Sequence, residues 1–287
     1  MNYGAGSAGS ERTRQTVELA RRVLDAEVHA TATRDAATLA GWMAERVEGY
    51  RRIVIAGGDG SLGVAYNVLT GRDVDIGYIP AGYGNATAHL LQLPRDPGAL
   101  VQVLLRGEAR PVDLVQVGGR LALFAGAGWD ALVAGRYAAT GARRTPGWAA
   151  AVARSLPDLV RRRHATVVAD GRTVHDGPMV MLVAGTTPWY GRGLLVNPGA
   201  SAIAGLMTVR IYSGPLPGFA LESARWVAHR QPAAAGIAAR QLELRTPEPA
   251  GIAVQADGDL LGTATKWEMR IRPGAARLIG AWEGERA

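Results

Sequence analysis

The chain has 287 residues, a formal net charge of +7, 48% hydrophobic residues, 20% charged residues and no cysteine. This balance is typical of a globular protein with a packed core, and it excludes wholesale disorder, disulfides and sulfur-ligated zinc sites. No apolar run approaches the roughly 18 residues of a membrane span, and the N-terminus lacks a signal-peptide core. We therefore predict a cytoplasmic protein whose positive charge favours anionic partners.

The first hundred residues alternate helix and strand signals. The predicted elements are a helix at 36–47, a strand at 53–56, a helix at 62–69, a strand at 76–79 and a helix at 97–105. Glycine-containing turns follow both strands. Because strand, glycine turn and helix in alternation are typical of an open parallel α/β layer, we predict an α/β domain with a parallel sheet over residues 1–112.

From about residue 113 the pattern changes to short apolar runs separated by turns. Asp170-Gly171 and Asp257-Gly258 are the clearest turn signals, and one helical insertion is predicted over 146–163. These features indicate a mostly antiparallel second domain over residues 113–287. The sequence leaves open whether the C-terminal tail of this domain returns to the first domain.

The strongest chemical signal is the segment IVIAGGDGSLGVAYNVL, residues 53–69. A strand runs into Gly57-Gly58-Asp59-Gly60-Ser61 and then into a helix. Adjacent glycines let backbone amides approach an anion without Cβ clashes, and the helix N-terminus adds partial positive charge. A carboxylate at Asp59 beside phosphates would hold a metal-bound water or accept a hydroxyl proton. The alternative is a glycine-rich turn with Asp59 as a helix N-cap.

A second loop follows the next strand, in IGYIPAGYGNATAHLLQLP, residues 76–94. Here the strand leads through Gly82, Tyr83, Gly84 and Asn85 into another helix. Two such loops at adjacent strand ends would form opposite walls of one crevice, where open α/β sheets bind ligands. The alternative is a second tight turn without a ligand.

The spacing of the two loops resembles that of the diacylglycerol kinase catalytic family, which includes bacterial lipid kinases and sphingosine kinases. Further segments are similar to motifs of that family. They are the loop at residues 2–6, Thr31, Pro-Val-Asp-Leu at 111–114, Ala-Gly-Ala-Gly-Trp-Asp-Ala at 125–131, and Asp-Gly-Asp at 257–259. The resemblance therefore covers nearly the whole chain.

This resemblance implies an α/β nucleotide-binding kinase domain joined to a β-sandwich lipid domain. It implies Mg²⁺-dependent transfer of the ATP γ-phosphoryl group to a lipid hydroxyl, with Asp59 and Asp257 as bases and Asp113 as a magnesium or water ligand. The implied nucleotide-contacting residues are Asn2, Thr31, Gly57, Gly58, Asp59, Gly60, Ser61, Gly82, Gly84, Asn85, Gly258 and Asp259. Read without the resemblance, Asp257 is also consistent with a simple hairpin residue. We expect residues 57–61 and 82–85 to face each other, with the turn at Asp257 meeting them.

Several positions depart from the family's pattern. Ala86 stands where the family usually has Asp, Tyr83 where it has Thr, and only Met1 precedes Asn2. Losing a carboxylate near phosphate and metal predicts weakened or altered kinase activity. Two alternatives stay open: a non-catalytic member that binds nucleotide or lipid, and an NAD kinase, which shares the Gly-Gly-Asp-Gly turn. Nucleic-acid binding is disfavoured because no recognised module appears.

The acceptor side is expected in the helical insertion. Trp148 with the arginines at 161–163 suits an interfacial helix at an anionic membrane, and the alternative is a core helix followed by a solvated arginine run. Arg143 and Arg144 lie in a region where relatives place phosphate-binding arginines. We expect a lipid-like small-molecule acceptor, and the sequence leaves a homodimer open.

Overall fold

The computed structural model describes residues 1–33, 35–140 and 145–282. These residues form two compact units. Unit 1 comprises Met1–Val112, Gly191–Gly193 and the chain from Gly274 onward, and unit 2 comprises Asp113–Tyr190 and Leu194–Pro273.

Unit 1 carries five α-helices in its described part. They are α1 Glu11–Val23, α2 Ala36–Ala44, α3 Asp59–Leu69, α4 Ala86–Leu90 and α5 Pro97–Arg106. Side-chain caps explain where three of them begin: the side chains of Ser10, Asp35 and Asp96 accept hydrogen bonds from amides of the first turns of α1, α2 and α5. Pro97 then occupies the first turn of α5, where a missing N–H costs nothing.

The sheet of unit 1 is parallel. Strands β1 Arg52–Gly57 and β2 Asp75–Pro80 pair in register along their whole length. The end of the last strand, which lies in the same unit, continues the parallel pairing by placing Arg277 and Leu278 opposite β2. Apolar side chains of α1, β1, β2 and α5 form a buried cluster under this sheet, among them Ala20, Ala56, Ile79, Leu100 and Leu104. Burial of this apolar surface stabilises the register in which the carboxyl ends of β1 and β2 lie side by side.

Unit 2 is built mainly from antiparallel strands. Two strands, β3 and β16, extend along the chain from one unit into the other. The strands that follow β2 are β3 Glu108–Val117, β4 Arg120–Ala122, β5 Phe124–Gly128, β6 Arg163–Ala169, β7 Arg172–Met179, β8 Met181–Gly185, β9 Trp189–Tyr190, β10 Leu194–Leu195, β11 Met207–Tyr212, β12 Ile237–Ala239, β13 Gln241–Arg245, β14 Ile252–Ala256, β15 Asp259–Ala264 and β16 Lys266–Gly280. Its helices are α6 Trp129–Ala139, α7 Thr145–Ser155 and α8 Leu216–Val227.

Two antiparallel layers enclose the core of unit 2. One has the strand order β12-β11-β8-β5-β14-β15, and the other contains β13 paired with β6 and with the first half of β16, and β7 on the far side of β6. Buried apolar residues from both layers, such as Leu182, Val254, Val167 and Leu244, lie in one cluster. The predicted fold class, a parallel α/β part followed by a mostly antiparallel β-sandwich, is therefore confirmed.

The predicted helix over 146–163 is wrong in extent. The α-helix ends at Ser155, a 3₁₀ turn follows at Leu156–Leu159, and Arg163 already begins β6. Pro157 explains the break, because proline lacks the N–H that would continue the helix. Among the described residues, no helix combines the length and the hydropathy needed to cross a membrane.

Candidate functional site

The two glycine loops of unit 1 meet at the carboxyl ends of β1 and β2. Gly57 lies opposite Pro80 in the parallel register, and the amide of Ala81 donates to the carbonyl of Gly57 at 2.7 Å. One residue further on, the two backbones approach so closely that a Cβ on Gly82 would lie 2.8 Å from Cα of Gly58. Only glycine fits at this approach, so backbone rather than side chains lines the point where the loops meet.

Asp59 links the two loops through its side chain. It occupies the first position of α3, but its carboxylate accepts the amides of Ala86 and Thr87, at 3.0 and 3.2 Å, where α4 begins. Burial raises the pKa of Asp59, and the hydrogen bonds from these amides act in the opposite direction. Asp59 therefore caps the start of the neighbouring helix α4, and the alternative that it caps its own helix is wrong.

Asn85 organises the second loop internally. Its backbone is left-handed, with φ at 47°, and its Oδ1 accepts the amide of Gly82 at 3.0 Å and the hydroxyl of Tyr78 at 3.2 Å. Its Nδ2 returns a bond to the carbonyl of Gly82 at 3.0 Å. Gly84, between Tyr83 and Asn85 in the same loop, is partly buried. These bonds hold the loop in one conformation, which is a requirement for a preformed anion cradle.

The N-terminal loop adds a third wall within unit 1. The amide of Asn2 donates to the carbonyl of Ala56 at 2.9 Å, and its Nδ2 donates to the hydroxyl of Ser61 at 3.1 Å. Asn2 also forms a parallel bridge with Thr31. The structure thus brings Asn2, Thr31 and Ser61 to the end of β1, where Gly60 lies exposed in the first turn of α3.

Tyr83, one of the departures from the family's pattern, has a defined partner. Its hydroxyl donates to the carbonyl of Gly6 at 3.1 Å, and a Cβ on Gly6 would lie 2.4 Å from the tyrosine ring. The glycine of the N-terminal loop therefore makes room for the larger side chain. The ring remains 41% exposed, so it covers this loop without being part of the core.

The remaining predicted acids lie in unit 2. Asp257 and Gly258 form the tight turn between β14 and β15, both with positive φ, as a hairpin of the primed type requires. The carboxylate of Asp257 accepts the amides of Leu123 and Phe124 at 3.0 and 3.1 Å. Asp259, at the start of β15, forms an ion pair with Arg120 at 3.1 Å.

Asp113 is connected to this turn through a buried threonine. The hydroxyl of Thr186 donates to the carbonyl of Asp113 at 2.8 Å and contacts the carbonyl of Leu123 at 3.3 Å. The amide of Leu123 in turn donates to Asp257. The carboxylate of Asp113 accepts the amide of Gly205 at 2.6 Å. Within unit 2 the structure therefore places two of the predicted acids on one hydrogen-bonded chain of residues.

Sequence comparison shows which known proteins this chain is similar to. Residues 1–117 match the model of the Diacylglycerol kinase catalytic domain. Over 171 residues, the chain is 30% identical to a diacylglycerol kinase of Mycobacterium tuberculosis, an alignment that covers 56% of this chain and 55% of the relative. The resemblance to the diacylglycerol kinase catalytic family is confirmed. A probable lipid kinase YegS-like protein of Pseudomonas aeruginosa is 39% identical over 77 residues, 26% of this chain and 25% of that protein. The matched region thus spans about half the length of the Mycobacterium relative.

Solved structures share the fold. A candidate diacylglycerol kinase from Bacillus anthracis superposes with a TM-score of 0.78 at 17% identity, covering 97% of this chain and 93% of that one. An NAD kinase from Archaeoglobus fulgidus in complex with ATP gives a TM-score of 0.53 at 14% identity, covering 93% and 88%. The diacylglycerol kinase fold is therefore the nearer of these two in backbone geometry.

The segment at 125–131, which lies beyond the residues that the family model matches, holds a carboxylate to which the sequence analysis assigned no role. The carboxylate of Asp130 accepts hydrogen bonds from the hydroxyl of Tyr190 and from Nε2 of Gln255, while its Oδ1 is buried without a partner. Burial raises the pKa of Asp130 to about 6, against the lowering effect of both donors. Gly126 leaves the space for this cluster, since a Cβ there would overlap the carboxylate.

Gln255 extends this cluster to the turn at Asp257. Its Oε1 accepts the amide of Gly258 at 2.6 Å. In the sequence, Asp130 is marked by the pattern Gly-Trp-Asp after a strand, and Tyr190 by its place in an aromatic loop, residues 187–191, that resembles a family loop near the acceptor. Gln255 carries no such signal. Arg143 and Arg144 lie outside the described residues. Among residues 1–33, 35–140 and 145–282, no group of three or more His, Asp or Glu is arranged to hold a metal ion.

Proposed function

We propose that this protein is a lipid kinase that transfers the γ-phosphoryl group of ATP to a hydroxyl of a lipid acceptor. The observation that carries the proposal is the contact between Gly58 and Gly82 at the ends of two parallel strands. Backbone without Cβ atoms, next to the N-terminus of α3, is suited to binding the phosphates of a nucleotide. The match of residues 1–117 to diacylglycerol kinase catalytic domains supports the same function.

The roles of the chain's own residues follow from their contacts. Asp59 ties α3 to the start of α4, so it fixes the distance between the two loops. Asn2 and Ser61 supply polar groups at the end of β1. Phosphoryl transfer depends mainly on positioning and charge neutralisation, and a preformed cradle of this kind supplies the positioning.

In unit 2 we assign the acceptor chemistry to the turn at Asp257. Two backbone amides fix the orientation of its carboxylate, and we propose that this carboxylate accepts the hydroxyl proton of the acceptor. Gly258 and Asp259 continue this turn, and Asp113 is the proposed carboxylate for a magnesium ion or its water.

The carboxylates of this chain fit Mg²⁺ only in the binding mode that is usual in kinases, where the protein supplies few of the ligands. That ion is commonly held by one or two carboxylates together with waters and substrate phosphates, so a cage of three protein ligands is not required. Mg²⁺ would neutralise the developing charge on the phosphates. Asp113 is the carboxylate proposed for this task, and Asp59 stays a proposed base.

The test is phosphoryl transfer from labelled ATP with Mg²⁺ to separate acceptors: diacylglycerol, a sphingoid base, phosphatidylglycerol, an isoprenoid alcohol and NAD. Wild-type protein is expected to label one of the lipids. Gly82→Ala pushes the two loops apart, and we expect roughly a hundredfold loss of transfer because small misplacements at a phosphate site are costly.

The matched control is Gly41→Ala, which adds the same methyl group on an exposed position of α2 with no atom within 4 Å. It should retain full transfer. Label in NAD would instead establish an NAD kinase. Binding of ATP or lipid without transfer to any acceptor would establish the non-catalytic alternative, in keeping with Ala86 and Tyr83.

A further inference from the structure

Gln255 is a buried polar residue on strand β14 of unit 2. Its neighbours on the strand, Val254 and Ala256, belong to the apolar cluster between the two antiparallel layers. Because side chains alternate along a strand, Gln255 points to the opposite face of its sheet, yet only 1% of it is exposed. Burying an amide is costly unless its polar atoms are hydrogen-bonded. The hydrogen bonds of Gln255 therefore matter for the geometry of the residues that it contacts.

Both ends of the Gln255 amide are engaged. Oε1 accepts the amide of Gly258 at 2.6 Å, and because a backbone N–H can only donate, this bond fixes which end of the side chain faces the turn. Nε2 donates to the buried carboxylate of Asp130 at 3.1 Å and to the hydroxyl of Tyr190. Tyr190 also donates to Asp130. Gln255 thus connects a cluster of three side chains to the backbone of the turn.

The hairpin of β14 and β15 is irregular beside Gln255. Val254 pairs with Gly262, whereas Gln255 pairs with Leu260, so the register shifts between the two residues. A β-bulge of this kind re-aims side chains and increases the local twist, and bulges are frequent next to active sites. The irregularity therefore lies at the residue whose side chain bonds to the turn of the same hairpin.

Asp257 is held on both sides within this turn. Its own amide donates to the carbonyl of Phe124 at 3.0 Å, and its carboxylate accepts the amide of Phe124 at 3.1 Å. The next amide along the chain, that of Gly258, donates to Gln255. Asp257 has φ at 48°, which is unfavourable for a residue with a side chain, so the turn needs such contacts to keep its shape. The ring of Tyr190 also packs on that of Phe124, with centroids 4.1 Å apart.

We propose that Gln255 is a positioning residue for phosphoryl transfer, because its amide holds the turn in the conformation that orients the carboxylate of Asp257. This inference rests on the proposed function, in which Asp257 accepts the proton of the acceptor hydroxyl. Gln255 acts through Gly258 rather than on the substrate itself. Asp130 and Tyr190 support it by holding Nε2, which keeps Oε1 against the turn. A displaced base slows the reaction even where substrate binding is unchanged.

The test compares steady-state transfer by wild-type protein and by Gln255→Met, with the lipid that the wild type labels. Methionine keeps the length of the side chain but has no oxygen to accept the amide of Gly258. We expect kcat to fall roughly tenfold while KM for ATP and for the lipid stays within about twofold, since the change acts on reacting geometry. Hydrogen exchange at the amides of Gly258 and Leu123 should become roughly tenfold faster.

Gln255→Glu tests rescue by a conservative change. While the new carboxyl carries a proton, it offers the same donor and acceptor as the amide. Once it loses that proton, its charge faces the carboxylate of Asp130, whereas Tyr190, whose pKa burial raises, stays protonated. We therefore expect kcat relative to wild type to be near normal at about pH 6 and roughly tenfold lower at about pH 8. A role confined to stability would leave this ratio constant while both proteins are folded.

Gln241→Met is the matched control, because Gln241 is an exposed glutamine on strand β13 of the same unit. It should transfer and exchange as wild type does, and urea unfolding shows that each variant is folded in the assay. A normal kcat in Gln255→Met, a loss confined to KM, or unchanged exchange at Gly258 would overturn the inference. No transfer by the wild type would contradict the proposed function instead, and exchange at Gly258 would still decide whether Gln255 holds the turn.

Discussion

Two buried carboxylates, one in each unit, are held in contrasting ways. Asp59 in unit 1 accepts two backbone amides, whereas Asp130 in unit 2 accepts two side-chain donors and leaves Oδ1 without a partner. Burial raises the pKa of both. The backbone donors belong to the first turn of α4, so the Asp59 bonds form only when the loop at Asp59 packs against that turn.

Asp59 therefore has a structural role, whereas the pKa of Asp130 is set by side chains that substitution can change. Backbone amides cannot be replaced by substitution, and they fix Asp59 to one helix start. Tyr190 and Gln255 are side chains, so the environment of Asp130 depends on residue choices far apart in the sequence. We therefore expect substitution of Asp59 to act on the architecture of the glycine loops. Substitution of Asp130 should act on the pH dependence of stability.

The largest effect is expected for Asp59→Ala. This change leaves the amides of Ala86 and Thr87 without their acceptor, and unsatisfied buried donors cost roughly 1–3 kcal/mol each. Removing a carboxylate whose own burial is unfavourable offsets part of that cost. We expect a loss of about 3 kcal/mol in the free energy of unfolding, measured by urea denaturation.

Asp59→Asn is the control for this prediction. It keeps one oxygen that can accept an amide, so its loss should be smaller than that of Asp59→Ala. If both variants unfold at the wild-type urea concentration, Asp59 does not hold the two loops together. ATP binding by the same variants then reports whether the tie also maintains the proposed phosphate cradle.

Asp130→Asn is expected to stabilise the protein at neutral pH. The pKa of Asp130 rises from its usual 3.8 to about 6 on folding, so the folded chain binds the proton more tightly than the unfolded chain. The wild type therefore loses stability as pH increases between these two values, by up to about 3 kcal/mol. An asparagine does not titrate, so the variant escapes this loss and should gain about 2 kcal/mol at pH 7.

The decisive measurement is the difference in unfolding free energy between variant and wild type across that pH range. It should increase in favour of Asp130→Asn up to about pH 6 and then level off. Tyr190→Phe sharpens the test, because removing a donor that lowers the pKa of Asp130 should move the levelling point upward. A difference independent of pH would contradict the assignment.

Local signals sufficed for the features that depend on a few neighbouring residues. The two glycine loops follow β1 and β2 as predicted, and Asp170-Gly171 and Asp257-Gly258 adopt positive φ in tight turns. Asparagine, aspartate and glycine tolerate that conformation, so their pairing in sequence is informative by itself. The two glycine loops carry most of the candidate site in unit 1.

The missed features depend on tertiary context. Helix α1 buries only Thr13, Thr16 and Ala20, so it shows no apolar stripe. Helix α8 is apolar on its exposed side as well as at its buried Phe219 and Trp226, so its sequence does not show which face is inside. Asp130 meets its partners only because β5 pairs with β14. No spacing within the sequence states which strands will be neighbours, so this cluster was not predictable.

The smallest effect is expected for Tyr83→Phe. This substitution removes the hydrogen bond from the tyrosine hydroxyl to the carbonyl of Gly6, but it keeps the ring over the N-terminal loop. Because the ring is half-exposed, water replaces the lost bond, and we expect a stability loss of about 0.5 kcal/mol.

Tyr83→Thr removes the ring as well and opens the loop at Gly6. Hydrogen exchange at the amides of Gly4 and Ser7 should then be faster than in Tyr83→Phe. Equal exchange in both variants would mean that the ring does not hold this loop. Backbone hydrogen bonds, such as those to Asp59, would then be the interactions that hold the loops of unit 1.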